Sequence, residues 1–97
     1  MDRDKALSTL SRSKEELQQK FGVKSIAVFG STARNEARSD SDVDILVEFE
    51  EPVGYFTLAD VQFYLEDVLG IDVDLATPGS LKSPVRERVY KDLIYAA

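Results

Sequence analysis

The chain has 97 residues, 43% of them hydrophobic, so it is long enough for one small core and too short for two. It contains neither cysteine nor histidine, which excludes disulfides, thiolate zinc sites and imidazole catalysis. Its 18 acidic and 12 basic residues give a formal charge of −6, which disfavours unassisted binding to a nucleic acid. We therefore expect a single domain over residues 1–97 that acts on a protein or a small molecule.

The first half of the chain begins with a helix and a strand. A helix is predicted over residues 2–21, because leucines recur there at helical spacing before Gly22, while a capping-box pattern at Ser13 leaves open a break in it. Residues 23–29 are short, mostly apolar and partly β-branched, as is typical of a central strand. No apolar run approaches about 18 residues, so neither a membrane span nor a signal peptide is expected, and a cytoplasmic location is the prediction.

The second half adds two strands and two helices. A second strand is predicted over residues 43–50, and a turn follows it. Thr57 with Asp60 three residues later predicts the capped start of a helix that Gly70 ends. A third strand follows over residues 71–75, and a last helix runs from Pro84 to the C-terminus. The predicted order of elements is α-β-β-α-β-α.

The segment between the first two strands carries the chemistry. Asp42 and Asp44 are two positions apart at the start of the second strand, so their side chains point to the same face. At an effective dielectric near 20, two such charges about 6 Å apart repel by roughly 3 kcal/mol, which favours a bound cation. Oxygen ligands suit Mg²⁺, and Gly30-Ser31 upstream allows backbone amides to approach a phosphate.

This pattern resembles a known family. Gly30-Ser31, ten intervening residues and the Asp-x-Asp of Asp42 and Asp44 resemble the signature of the DNA-polymerase-β-like nucleotidyltransferases. The fuller pattern is similar to their smallest members, the minimal nucleotidyltransferase (MNT) domains. Two positions depart from the family pattern: Asn35 stands where glycine is usual, and Ser39 where proline is frequent.

The resemblance implies an α/β (α+β) fold with a small mixed three-stranded sheet and flanking helices. It also implies a catalytic site with two Mg²⁺ ions, held by Asp42, Asp44 and a third carboxylate. The family places that third acid in a Val-Asp-Leu run, which favours Asp74, and Asp72 on the same strand face is the alternative.

ATP is the substrate that the resemblance implies, with Gly30 and Ser31 binding its β- and γ-phosphates. Ser31 could equally be only the N-cap of a short helix. The family retains an arginine at the position of Arg34, where it would orient phosphate or the site. A surface ion pair is the alternative for Arg34, and such pairs contribute only about 0–1 kcal/mol.

Proteins of this kind are commonly antitoxins that transfer AMP to a tyrosine of a HEPN-domain toxin, a ribonuclease-type partner. The resemblance therefore implies a hetero-oligomer with such a toxin and no direct nucleic-acid or membrane partner. Because no acceptor-binding domain is visible in the sequence, we expect the acceptor to dock through its own surface. Three alternatives remain: an antitoxin that only occludes its toxin, an enzyme that adenylylates a small molecule, and a metal-dependent nucleic-acid enzyme, which the charge disfavours.

Overall fold

The computed structural model describes residues 1–36, 38 and 41–96, so the departure at Ser39 lies outside the described residues. Its helices are α1 (Arg3–Phe21), α2 (Gly30–Ala33), α3 (Tyr55–Leu69) and α4 (Val85–Lys91), with a 3-10 turn at Pro78–Ser80. Its strands are β1 (Val23–Val28), β2 (Val43–Phe49), β3 (Val73–Ala76) and β4 (Ile94–Tyr95).

Helix α1 is continuous, and the break considered at Ser13 is absent from this described segment. The Asp2 side chain caps its start by accepting a hydrogen bond from the Lys5 amide at 2.8 Å. Gly22 ends the helix with φ 72°, a left-handed conformation that glycine adopts without strain. In the described part of the chain, no helix combines the length and the apolar composition that crossing a bilayer requires.

The strands form one mixed sheet in the order β3-β2-β1-β4. Strand β1 pairs antiparallel with both β2 and β4, and β2 pairs parallel with β3. The α/β class is therefore confirmed, and β1 is central as expected. The described sheet, however, has four strands where the sequence predicted three.

The fourth strand replaces the predicted end of the last helix. Helix α4 ends at Lys91, and the chain then pairs Ile94 with Val28 and Tyr95 with Ala27. The Ala96 amide continues this pairing by donating to the Ile26 carbonyl at 2.9 Å. Burial of Ile94 and Ala96 against the core stabilises the extended conformation over further helix.

The core lies between one sheet face and the helices α1 and α3. From β2 it takes Val43, Ile45 and Val47, which are fully buried in one cluster with apolar residues of both helices. Side chains alternate along a strand, so Asp44 and Glu48 lie on the opposite face. That face is where the candidate site forms.

Helix α3 begins earlier than predicted and protects a sheet edge. It starts at Tyr55 with Gly54 as N-cap, so the capped start predicted at Thr57 is wrong. The Gln62 side chain donates to the Val73 carbonyl at 3.2 Å, and Glu66 accepts from the Val73 amide at 3.1 Å. These bonds satisfy backbone groups of β3, which is an edge strand.

Candidate active site at the start of strands β2 and β3

Gly30 brings the turn after β1 directly against the Asp44 carboxylate. Its φ is 62°, in the left-handed region, and a Cβ at this position would lie 2.6 Å from Asp44 Oδ2. Both the backbone angle and the available space therefore require glycine here. The Phe29 amide also donates to the Asp44 carbonyl at 3.1 Å, which fixes the turn to the strand.

Three aspartates lie at this end of the sheet. The parallel register pairs Asp44 with Asp74, and Asp42 directly precedes β2. Partial burial, then the charges of Asp74 and Asp42, raise the pKa of Asp44 from its ordinary value of 3.8 to about 6. The charge of Arg34 opposes this rise in the pKa of Asp44.

The register distinguishes Asp74 from its neighbour Asp72. Asp72 lies before β3, where its carbonyl accepts a hydrogen bond from the Val43 amide at 3.0 Å. Its carboxylate is absent from the described charges that act on Asp44, whereas that of Asp74 is the strongest of them. The register and the charges that act on Asp44 thus favour Asp74 over Asp72 as the neighbour of the Asp44 carboxylate.

A buried hydroxyl that sequence reasoning missed supports this arrangement. Thr32 lies in α2, is 0% exposed, and its Oγ1 accepts a hydrogen bond from the Asp44 amide at 3.4 Å. Its neighbour Ser31 is partly buried at the second position of the same short helix, beside Gly30. The bond from Thr32 holds Gly30 and Ser31 in position beside the acids.

Arg34 is held by two carboxylates at the end of α2. Its Nη1 donates to Asp92 Oδ2 at 2.8 Å, and its Nε donates to Glu36 Oε2 at 3.2 Å. These partners, Asp92 first, raise the pKa of the Arg34 guanidinium. The surface ion pair considered for Arg34 therefore exists, and it ties the loop beside the acids to the end of α4.

The departure at Asn35 has a structural explanation. Asn35 has φ 59°, so this position needs a residue that tolerates the left-handed conformation. Glycine does so freely, and asparagine is the side-chain-bearing residue that does so most readily. The Asn35 side chain additionally accepts a hydrogen bond from the Arg3 amide at 3.1 Å. The loop is therefore compatible with asparagine.

The acids provide the oxygen ligands that Mg²⁺ prefers, but their arrangement is not a complete coordination site. In residues 1–36, 38 and 41–96, no three acidic side chains form a ready-made cluster for a metal ion. Mg²⁺ usually takes one or two carboxylates and fills its octahedron with waters and substrate phosphates. The mutual repulsion at Asp44 is the condition that a cation would relieve. The residues present therefore fit Mg²⁺ held jointly with a phosphate substrate.

A cavity of about 460 Å³ lies elsewhere, at the opposite ends of β2 and β3. It is lined by Val47 to Val53, Leu58 and Thr77 to Gly79. Asp44 and Asp74 are at the start of their strands and do not line it. This cavity is therefore separate from the candidate site, where the Asp74 side chain is exposed.

Comparison with known proteins identifies the family of this chain. A family model described as a nucleotidyltransferase domain matches residues 10–96. A protein adenylyltransferase, MntA, from Thermococcus cleftensis is 47% identical over 88 residues, which cover 91% of this chain and 89% of that protein. The family resemblance read from the Gly-Ser and Asp-x-Asp pattern is thereby confirmed.

Solved structures show the same fold. A structure described as a minimal nucleotidyltransferase superposes with a TM-score of 0.80 at 37% identity, covering 97% of this chain and 95% of that one. A complex of a tri-AMPylated HEPN toxin with an MNT antitoxin from Shewanella oneidensis gives a TM-score of 0.67 at 18% identity, covering 94% and 71%. At that identity the likeness concerns the fold alone.

Proposed function

This chain belongs to the nucleotidyltransferase domain family, and from that premise we propose that it transfers AMP from ATP to a tyrosine hydroxyl of a HEPN toxin, acting as its antitoxin. The observation that carries the proposal is the parallel register that sets Asp74 beside Asp44, where Gly30 lies directly against the Asp44 carboxylate and the charge of Asp42 also acts on it. Relatives at 41–48% identity over most of the chain carry the name of protein adenylyltransferases, which supports a protein acceptor.

The three acids divide the work in this proposal. Asp42 and Asp44 would hold two Mg²⁺ ions, and Asp74 would complete the site of the ion nearer the acceptor. Bound Mg²⁺ supplies positive charge that stabilises the attacking and leaving oxygens of phosphoryl transfer. Carboxylates that repel one another without a cation are suited to this task, because binding the cation relieves their repulsion.

The nucleotide would be bound by the turn after β1. Gly30 has no side chain, so backbone amides of this turn could approach the triphosphate, and the Ser31 hydroxyl could donate to a β- or γ-phosphate oxygen. Arg34 orients this loop through its bonds to Asp92 and Glu36. The roles of Gly30, Ser31 and Arg34 are thus binding and positioning.

The transfer itself balances without a further reactant. The tyrosine oxygen attacks the α-phosphorus of ATP, the bond from that phosphorus to the bridging oxygen of the β-phosphate breaks, and pyrophosphate leaves. The phenolic proton passes to the Asp74 carboxylate, which is exposed on the sheet face. The product is a tyrosine that carries AMP in a phosphodiester link.

The test is incubation of this chain with labelled ATP, Mg²⁺ and the protein encoded by the neighbouring gene, which the proposal expects to be a HEPN toxin. The proposal predicts covalent label on a tyrosine of the partner, located by peptide mass spectrometry. Label on a small molecule in the absence of the partner would instead support antibiotic-type adenylylation. Neutralisation of the partner without added mass would support an antitoxin that only occludes.

A further inference from the structure

The outer face of α3 carries aromatic side chains that are largely exposed to solvent. Phe56 is 85% exposed, Tyr55 81% and Phe63 68%, and Tyr55 and Phe56 pack edge to face at 6.3 Å between ring centroids. Aromatic side chains bury 150–250 Å² each when they find a partner, so leaving three of them in water is unfavourable. This face therefore needs an explanation beyond the core.

The pattern along the helix is regular. Phe56, Asp60, Phe63 and Asp67 recur at spacings of four, three and four residues, which places them on one stripe. The buried stripe of Val61, Leu65 and Leu69 lies on the opposite side of the helix, against the core. The outer stripe thus alternates aromatic rings with carboxylates and points away from the sheet.

The segment of the sequence that contains this stripe carries charge of one sign, and Lys20 of α1, which lies 5.9 Å from the ring centroid of Tyr64 on α3, is itself paired with Glu16 at 3.6 Å. Residues 39–81 contain 11 of the 18 acidic residues and none of the 12 basic residues of the chain. The remaining segments carry 12 basic and 7 acidic residues, so the two parts of the sequence have opposite net charge. Helix α3 lies within the acidic part, and no lysine or arginine of its own segment neutralises it.

We propose that the outer face of α3, formed by Tyr55, Phe56, Asp60, Phe63 and Asp67, docks a protein partner with an apolar groove rimmed by lysine and arginine. The inference rests on the proposed function in one respect, because it takes that partner to be the protein acceptor. The aromatic side chains supply the central apolar contact, and the flanking carboxylates select the basic rim. Together the three rings can bury roughly 500 Å², a large share of the about 800 Å² that each side of a standard interface contributes.

Charge also decides between a partner and a second copy of this chain. Two copies meeting through this face would bring Asp60 and Asp67 against the same acids in a segment that contains no cation. Like charges facing each other cost several kcal/mol at an interface, whereas a basic rim converts the same acids into attraction. The same acidity disfavours a nucleic acid on this face.

The docking face is separate from the acids that carry the proposed chemistry. Helix α3 packs on the sheet face that bears Val43 and Ile45, while Asp44 belongs to the other face. Loss of the aromatics should therefore weaken partner binding without altering the nucleotide site. In kinetic terms, the KM for the partner should rise while kcat at saturating partner stays constant.

The experiment compares the wild type with the Phe56→Ser/Phe63→Ser double variant, and the probe is the protein to which the test of the proposed function shows that AMP is transferred. If no AMP is transferred, the protein encoded by the neighbouring gene is the probe. We expect the Kd measured by calorimetry or interferometry to rise at least about 30-fold, since exposed aromatic anchors dominate interface energetics. The melting temperature and its shift with Mg-ATP should stay at wild-type values, because both rings are largely exposed. Asp60→Lys/Asp67→Lys should slow association and weaken its dependence on salt.

The matched control is Val85→Ser/Tyr90→Ser on α4, which removes two apolar side chains that are 43% and 37% exposed. A Kd unchanged within threefold in this control supports the assignment. The proposal is overturned if the control loses binding and the phenylalanine variant keeps it, or if the wild type alone forms a dimer that the phenylalanine variant dissolves.

Failure of this inference and failure of the proposed function look different. Wild-type binding through α3 with no AMP transferred would leave the docking surface standing and refute the enzymatic role. Efficient AMP transfer that is equally fast in the phenylalanine variant at limiting partner concentration would refute the docking surface and leave the enzymatic role standing.

Discussion

The two faces of strand β2 differ in what they contribute to the protein. On one face Val43, Ile45 and Val47 are fully buried against α1 and α3, where removal from water stabilises the fold. On the other face Asp44 is crowded by carboxylates, and without a cation this crowding costs free energy. Alternate residues of one strand thus serve different purposes: one set stabilises the core, and the other set faces the candidate site.

The largest expected effect is on the acid face. Asp44→Asn removes a proposed ligand of Mg²⁺, and losing about 4 kcal/mol of transition-state stabilisation slows AMP transfer about 1,000-fold. Initial rates of AMP incorporation into the partner measure this loss. Asp72→Asn, in the residue that precedes β3, is the matched control, and it should change the rate of AMP transfer less than threefold. Equal losses in the two variants would contradict the grouping of the acids.

The opposite face should show the converse behaviour. Ile45→Ala deletes three buried carbons from a site that is 0% exposed, which lowers the free energy of unfolding by about 2–5 kcal/mol. Urea denaturation measures this change, while the transfer rate per folded molecule should stay within threefold of wild type. A destabilisation below about 1 kcal/mol would show that the core face is not what stabilises β2.

Two glycines with similar backbone angles differ in their distance from Asp44. Gly30 and Gly70 have φ of 62° and 70°, so alanine should cost each of them about 1–2 kcal/mol. At Gly70 an added Cβ meets nothing within 4 Å, whereas at Gly30 it meets Asp44 Oδ2 at 2.6 Å. We expect Gly30→Ala to reduce transfer roughly 10- to 100-fold by displacing the carboxylate, and Gly70→Ala to leave it intact.

The comparison of melting and activity in the two alanine variants separates backbone strain from displacement. If Gly70→Ala, measured at a temperature where it is folded, loses as much activity as Gly30→Ala, the contact between Gly30 and Asp44 has no special role. If both retain full activity, the carboxylate can move without consequence, and the arrangement of the acids is less restrictive than described.

The smallest expected effect concerns pH in the metal-free protein. Because the pKa of Asp44 is raised to about 6, the folded state holds a proton that the unfolded chain releases near pH 4. The contribution of this protonated carboxyl to the free energy of unfolding is complete below pH 3.8 and is lost as the pH rises through 6. Full conversion of the pKa shift would give about 3 kcal/mol, and solvent screening at this partly exposed site reduces it to about 1–2 kcal/mol.

Urea titrations in EDTA would measure that effect as a difference between Asp44→Asn and wild type. The difference in unfolding free energy should be near zero below pH 4 and should favour the variant by about 1–2 kcal/mol above pH 6. Comparison of two chains cancels the titration of the other carboxylates. A difference that does not change between pH 4 and pH 7 would contradict the raised pKa of Asp44.

The local parts of the fold and site could be read from the sequence. The shared face of Asp42 and Asp44 follows from strand alternation over three residues, and Gly30 follows from the need for a residue without a side chain. The placement of Asp74 beside Asp44 required the parallel register of β2 and β3, which the sequence does not encode locally. The roles assigned to these residues stay predictions.

Distant contacts account for what sequence reasoning missed. Val85, Val89 and Leu93 continue a helical stripe, so the switch to β4 depends on a pairing with Val28, far away in the chain. Arg34 binds Asp92, 58 residues further on, and no spacing rule connects them. The sequence contains only a weak indication that the Thr32 hydroxyl is buried. Thr32 is a polar residue between Ser31 and an alanine, shortly after Gly30.

The most direct test of the proposed enzymatic role is whether the partner remains inactive as a ribonuclease after this chain is removed. The HEPN-domain protein would be incubated with the wild type and Mg-ATP, separated from it under denaturing conditions, refolded and assayed for ribonuclease activity. We predict that the partner remains inactive and carries AMP on a tyrosine. After incubation with the Asp42→Asn/Asp44→Asn double variant instead of the wild type, the partner should recover its activity. Recovery of full activity by the partner after treatment with the wild type would show reversible occlusion and contradict the account.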